Sequence, residues 1–145
     1  MTASQSLDAT YAVKAAIRTA LLANATISSA LVGQKIVDLA PSGHGTPYIS
    51  LAVQSSDFST ATEDGQEFEI DVNVWHQPSS QTPETATARS IMAEVRQTLH
   101  VGSLSMAAPF IPVMMRVTNM IGPYRDPDGM TLHGVVTVRV LVNHD

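Results

Sequence analysis

The sequence predicts an α+β fold: a mostly antiparallel sheet of about five strands with two main helices packed on one face. Three observations lead there. Apolar residues recur at helical spacing in two well-separated stretches. Apolar and polar residues alternate through Glu67 to Trp75 and again through Gly134 to Val142, the pattern of strands with one face in a core and one in water. Turn residues rather than long amphipathic segments separate the strand pairs, so the strands are joined as hairpins. A chain of 145 residues is one domain's worth.

Ser6 is a good N-cap, and Val13, Ile17, Ala20 and Leu21 form a stripe with Lys14 and Arg18 off it, predicting a helix from about Leu7 to Ala23. A shorter helical piece, Ile27 to Val32, should end at Gly33, which tolerates the left-handed C-terminal conformation. Ile36 and Val37 begin a short strand, Ala40 to Pro47 is a loop rich in Gly and Pro, and Tyr48 to Val53 is a strand. In the acidic strand Phe68, Ile70, Val72 and Val74 alternate with Glu67, Glu69, Asp71 and Asn73, which puts Trp75 on the polar face. Glu63-Asp64-Gly65 is turn chemistry, so a long, mobile hairpin tip is expected at about Ser55 to Gln66.

After a polar loop, Gln77 to Thr82, the second helix has Thr82 as cap, Pro83 at its first position and Glu84 in its first turn. Ala88, Ile91, Met92, Val95 and Leu99 form its core face. Val113 to Asn119 and Gly134 to Val142 are the last two strands; in the latter Val136, Val138, Val140 and Val142 point one way, Thr137 and Arg139 the other.

With 44% apolar and 14% charged residues, the chain can bury a sizeable core, which argues against a disordered protein. The absence of cysteine removes disulfides, thiol catalysis and thiolate metal sites. No secretory signal is expected from Met1 to Asp8, and the uncharged stretches Thr19 to Gln34 and Val101 to Met115 are too polar or too broken by proline to span a bilayer.

The formal charge of −5 is unevenly spread. All of Asp38, Asp57, Glu63, Asp64, Glu67, Glu69, Asp71 and Glu84 lie between Lys35 and Arg89, where no basic residue occurs. Such a segment pairs with basic neighbours inside the subunit, keeps DNA from sticking, or docks on a basic surface. The scattered basic residues form no phosphate-tracking cluster. Arg89 and Arg96 align on the exposed side of the second helix, as a solvated face or a further candidate ring contact. Five of the seven methionines, Met106, Met114, Met115, Met120 and Met130, crowd into one region. Methionine fills irregular core gaps or serves adaptable interfaces. With Phe110 and its flanking prolines, they make Ala107 to Met120 a candidate subunit contact, and Trp75 a second one.

Catalytic chemistry is sparse. No two of the five histidines stand at helical ligand spacing, and no phosphate loop, nucleophile elbow or dinucleotide fingerprint occurs. No catalytic residue, metal or cofactor is therefore expected. Asp126 and Asp128 lack the remaining ligands of a calcium loop, so Arg125 to Gly129 is a proline-bearing turn. A small-molecule or enzymatic site around His44, His76 and His133 is the alternative from another class.

The order of features resembles the small tail-completion, or tail-terminator, proteins of long-tailed phages and of phage-derived particles such as gene transfer agents. The resemblance spans nearly the whole chain as one terminator-like domain. It rests on Ser29-Ala30-Leu31-Val32-Gly33 running into Gln34 to Val37, and on the strand start Pro47-Tyr48-Ile49-Ser50-Leu51. Further on come Thr62 to Gly65 leading to Val72-Asn73-Val74-Trp75, then Ile91, Val95 and Leu99, then the Arg125 to Gly129 turn followed by His133-Gly134 and a valine-rich last strand.

The resemblance implies a non-enzymatic virion protein that assembles in the bacterial cytoplasm as a homo-oligomeric, six-fold ring. Its place would be the tail–neck junction, on the head-proximal end of the tail tube. There it would stop tube polymerisation and meet the neck, with the tail tube protein and a head–tail stopper as partners. DNA would pass through without specific binding, and no membrane is involved. Another neck ring, such as the stopper itself, is the runner-up. A domain of this length has a radius of gyration of roughly 15 Å, so six in a ring leave an opening of up to ~38 Å, enough for a duplex about 20 Å wide. Glu67, Glu69 and Asp71 would lie in the lumen or at the subunit boundary. The tip, with Asp57, Phe58, Glu63 and Asp64, and the turn, with Arg125, Asp126 and Asp128, are the candidate docking loops.

Overall fold

Val13, Ile17 and Leu21, each about one helical turn from the next, are all fully buried, and they fix how the first helix lies on the sheet. The computed structural model describes residues 8–59, 64–79, 84–100 and 104–144. Helix α1 spans Thr10–Ala23. It starts later than the sequence predicts, with Ala9 at its N-cap, where Asp8 closes a local turn just ahead: its Oδ1 accepts from the Thr10 amide at 2.9 Å and from the Thr10 hydroxyl at 2.5 Å. These bonds, the hydroxyl foremost, hold the Asp8 carboxyl below its ordinary range. Ser6 and Leu7 lie outside the described residues.

Helix α2 is Ala25–Ala30, not Ile27 to Val32. Asn24 moves its start, since its Oδ1 accepts from the Thr26 and Ile27 amides. Gly33 follows in the left-handed conformation, φ +63°.

Strand β1, Ile36–Val37, pairs in parallel with β2, Tyr48–Ser59. Strand β3, Asp64–His76, pairs antiparallel with β2 and with β5, Leu132–His144; β4, Phe110–Arg125, forms the far edge. The order across the sheet is β1-β2-β3-β5-β4. On one face Phe68, Ile70, Val72 and Val74 stand beside Val140, Val138, Val136 and Gly134 in register, and all are buried. Helix α3, Ala86–Leu99, lays Ala88, Ile91, Met92, Val95 and Leu99 onto this face together with α1. The expected α+β arrangement of helices on one side of a mostly antiparallel sheet is therefore present.

Three further boundaries differ. The hairpin expected to open into a tip at Ser55 stays paired to Ser59↔Asp64. Ser55, Ser56, Asp57 and Ser59 are polar and show no apolar alternation, which hides the strand period in the sequence, but the backbone ladder does not depend on apolar side chains. Strand β4 is more than twice the expected Val113 to Asn119, because register breaks at Pro112/Met114, Val117/Asn119 and Ile121/Tyr124 interrupt its alternation. Helix α3 begins at Ala86 rather than at Pro83. Glu84 lies ahead of it, with one carboxylate oxygen accepting from the Thr87 amide and the other from its hydroxyl, both at 2.9 Å. Thr82 and Pro83 are outside the described residues.

Candidate interaction surface

Among the described residues no helix covers the second face of the sheet, and the pleat aligns its side chains in rows across the strands. At one end Tyr48, Trp75, His133 and Tyr124 occupy consecutive register positions on β2, β3, β5 and β4. Trp75 and His133 stack with ring centroids 3.8 Å apart and planes 8° apart; Tyr48 adjoins Trp75 at 6.3 Å and Tyr124 adjoins His133 at 5.3 Å. Trp75 Nε1 donates to Ser50 Oγ at 2.9 Å. Asn73 Oδ1, 2.8 Å from His133 Nε2, can only accept, so Nε2 carries the proton and Nδ1 accepts from the Tyr124 hydroxyl at 3.1 Å. Burial pushes the His133 pKa down, against an upward pull from Asp126. As expected, Trp75 is on the polar face, but its ring is held in this row instead of standing free.

The acidic column of β3 lies alongside. Glu67 pairs with Arg139 Nε across β5, and Asp71 Oδ1 accepts from the Thr137 hydroxyl at 2.9 Å. Glu69 is exposed, as is Arg116, which faces Arg139 on β4. With two arginines beside three carboxylates, the face is close to balanced rather than strongly acidic. The Arg89 and Arg96 side chains are exposed on α3, away from this face; Arg89 Nε donates to Thr85 Oγ1 at 3.2 Å.

The candidate docking loops are placed differently from one another. Asp57, Phe58 and Asp64 belong to paired strand, a correction to the loop expected there, and Glu63 lies outside the described residues. Gln66, expected in the same loop, is buried: its Oε1 accepts from the Ala9 amide at 2.6 Å and its Nε2 donates to Asp8 Oδ1 at 3.2 Å. The turn after β4 is present. Asp128 Oδ1 accepts from the Met130 and Thr131 amides, both at 2.8 Å, and Oδ2 accepts from the Thr131 hydroxyl at 2.6 Å, so its pKa is lowered. Arg125 Nη1 donates to Gly129 O at 2.8 Å. Both residues hold the turn together, while Asp126 lies near His133.

The apolar signal concentrates on the edge strand. Ile111, Val113, Met120, Ile121 and Tyr124 of β4, and Met130 just beyond it, are each 44–57% exposed. Met114 is half-buried, and Phe110 packs against the core and edge-on to His144 at 5.6 Å. Met115 departs from the interface expectation: it is 4% exposed and paired with Val140, so it fills the core.

The model of a known family, "Tail completion protein gp17", matches residues 15–143. The chain belongs to the tail completion protein family. A solved structure, "Virion of native gene transfer agent (GTA) particle", contains a chain with the same fold at TM-score 0.79 and 23% identity, covering 95% of this chain and 99% of that one. No curated protein matches by sequence. As a tail completion protein the chain is a structural component of a phage-type tail, located in the virion in association with other tail or virion proteins.

The histidines of the alternative site do not converge. His133 sits in the aromatic row and His44 beside Tyr48 at 4.5 Å. His76 follows Trp75 in the strand and so points to the helix side, 3.6 Å from Glu84. Among the described residues no group of three or more His, Asp or Glu could hold a metal ion, and no helix is long and apolar enough to cross a membrane.

Proposed function

We propose that this tail completion protein is a non-catalytic tail terminator, a single domain that forms a six-fold ring on the head-proximal end of the tail tube. The ring stops tube polymerisation, contacts the tube protein on one side and a head–tail stopper or other neck protein on the other, and lets DNA pass without specific binding. The family match over residues 15–143 carries this reading. The exposed apolar edge of β4 supports it, since a subunit that works only in an assembly keeps apolar surface for its neighbours. The near-balanced open face favours passage of DNA, because no cationic cluster is present among its described residues to add phosphate affinity. Phe110 and Met114 sit along the subunit contact, with Glu67, Glu69 and Asp71 on the lumenal face.

Gold labelling of an affinity-tagged chain on purified particles tests the placement. One cluster of label at the head–tail junction is expected; label spread along the tube or at its far tip would overturn it.

A further inference from the structure

Among the described residues the exposed large apolar side chains fall into two groups on opposite edges of the sheet. Tyr11, Val32 and Leu39, with Tyr11 83% and Leu39 88% exposed, lie on the β1 side; the others are the β4 and Met130 group. Four strand spacings of about 4.8 Å put these edges ~19 Å apart. The two patches also differ in shape. On the β1 side α1 and β1 border a cleft floored by Ile36 and Leu51, with Lys14 and Arg18 on its helix wall and Tyr11 at its rim. Lys14 is paired with Asp38 at 2.7 Å, whereas Arg18 makes no ion pair among the described residues. On the other side β4 is a long edge strand that exposes Ile111, Val113, Met120, Ile121 and Tyr124, with Asp126 just past its end.

We infer that neighbouring subunits meet head to tail, the β4 edge of one copy seating in the α1–β1 cleft of the next. This rests on the ring reading above. The area fits a second copy of this chain: six side chains about half exposed amount to ~500 Å² on the β4 edge alone, toward the upper end of the largest apolar patch on a typical monomer and more than half of the roughly 800 Å² per partner of a specific contact. Shape decides between self-contacts. A two-fold pairing of β4 with β4 closes at two copies and leaves the cleft, Tyr11 and Leu39 in water, whereas a heterologous contact covers both patches with one interface and continues around a ring. Arg18 and Asp126 supply opposite charges at the two rims.

The chain has no cysteine, so single thiols report directly. Leu39→Cys on one edge and Ile121→Cys or Val113→Cys on the other all replace exposed side chains. Pairs of these variants are co-expressed in particle-producing cells, and purified particles are treated with a short bis-maleimide. Covalent dimer is expected from Leu39→Cys combined with at least one β4 variant, with none from any variant alone, and a ladder of higher species is expected when both thiols are on one chain. Equal cross-linking of a single variant to itself would overturn the head-to-tail contact. Counting copies by quantitative mass spectrometry separates the remaining failures. Several copies per particle with no cross-link overturn the contact and leave the ring; one copy per particle removes the ring and the contact with it.

Discussion

Met92 Sδ lies over the Cα of Gly134, in the space a Cβ on that residue would occupy. Met92 is itself 1% exposed, so it has little room to yield, and the glycine sets how closely α3 approaches β5. Gly134→Ala should therefore lower stability by about 1–3 kcal/mol, although alanine is the better strand residue. Met92→Ala, which by itself should cost about 2–5 kcal/mol, should cost less in the Gly134→Ala background, a coupling visible in urea midpoints at unchanged slope. Purely additive effects would contradict the contact.

Gln66 ties the first turn of α1 to β3 through the Ala9 amide. Gln66→Ala leaves a buried donor unpaired, and a loss of about 1–3 kcal/mol is expected. Hydrogen exchange should show faster opening at the start of α1 while the centre of β3 stays protected.

His133 gives the fold a pH dependence whose sign can be stated. Its pKa in the folded protein is below the ordinary imidazole value, burial being the first cause. As pH falls through that ordinary value, about 6.5, the unfolded chain takes up the proton before the folded one does. Stability is then complete above this value and declines as pH falls toward the folded pKa. The lowered carboxyls of Asp8, Glu84 and Asp128 act in the same direction, but only below about pH 4. His133→Phe should flatten the decline between pH 7 and 5 in urea titrations; an unchanged slope would contradict the assignment.

The helical stripes and strict alternations were legible in the sequence because their periods are unbroken: Val13 to Leu21, Phe68 to Val74 and Val136 to Val142 all point into the core. Boundaries were not, where a single polar side chain decides them. Asp8 and Asn24 relocate two helix starts through local hydrogen bonds, and Gln66 belongs to the interior only because Ala9 needs an acceptor there. The edge strand was half-read, since each bulge shifts its faces. Met114 and Met115, consecutive in a regular stretch of the register, divide between the open face and the core by ordinary strand alternation. The Trp75–His133 stack joins residues 58 apart, a juxtaposition that only the register supplies.

On the open face, reversing Glu67 and Glu69 to Lys places four cations, with Arg116 and Arg139, where the charges now nearly cancel. Since Glu67 is a partly exposed ion-pair member, the fold should lose no more than ~1 kcal/mol. Particle yield or DNA delivery should drop, because a cationic face attracts phosphate and opposes the present packing. Normal yield and transfer in the double variant, measured beside its thermal midpoint, would remove this face from the functional surface.

A protein that ends the tail tube sets the length of the tail, so tail length reads the proposed role directly. Electron microscopy of particles from a strain lacking the gene should show overlong tails without heads, with normal length and attachment restored by the gene in trans. Tails of normal length in the deletion strain, whether lying beside filled heads or joined to them, would contradict that role.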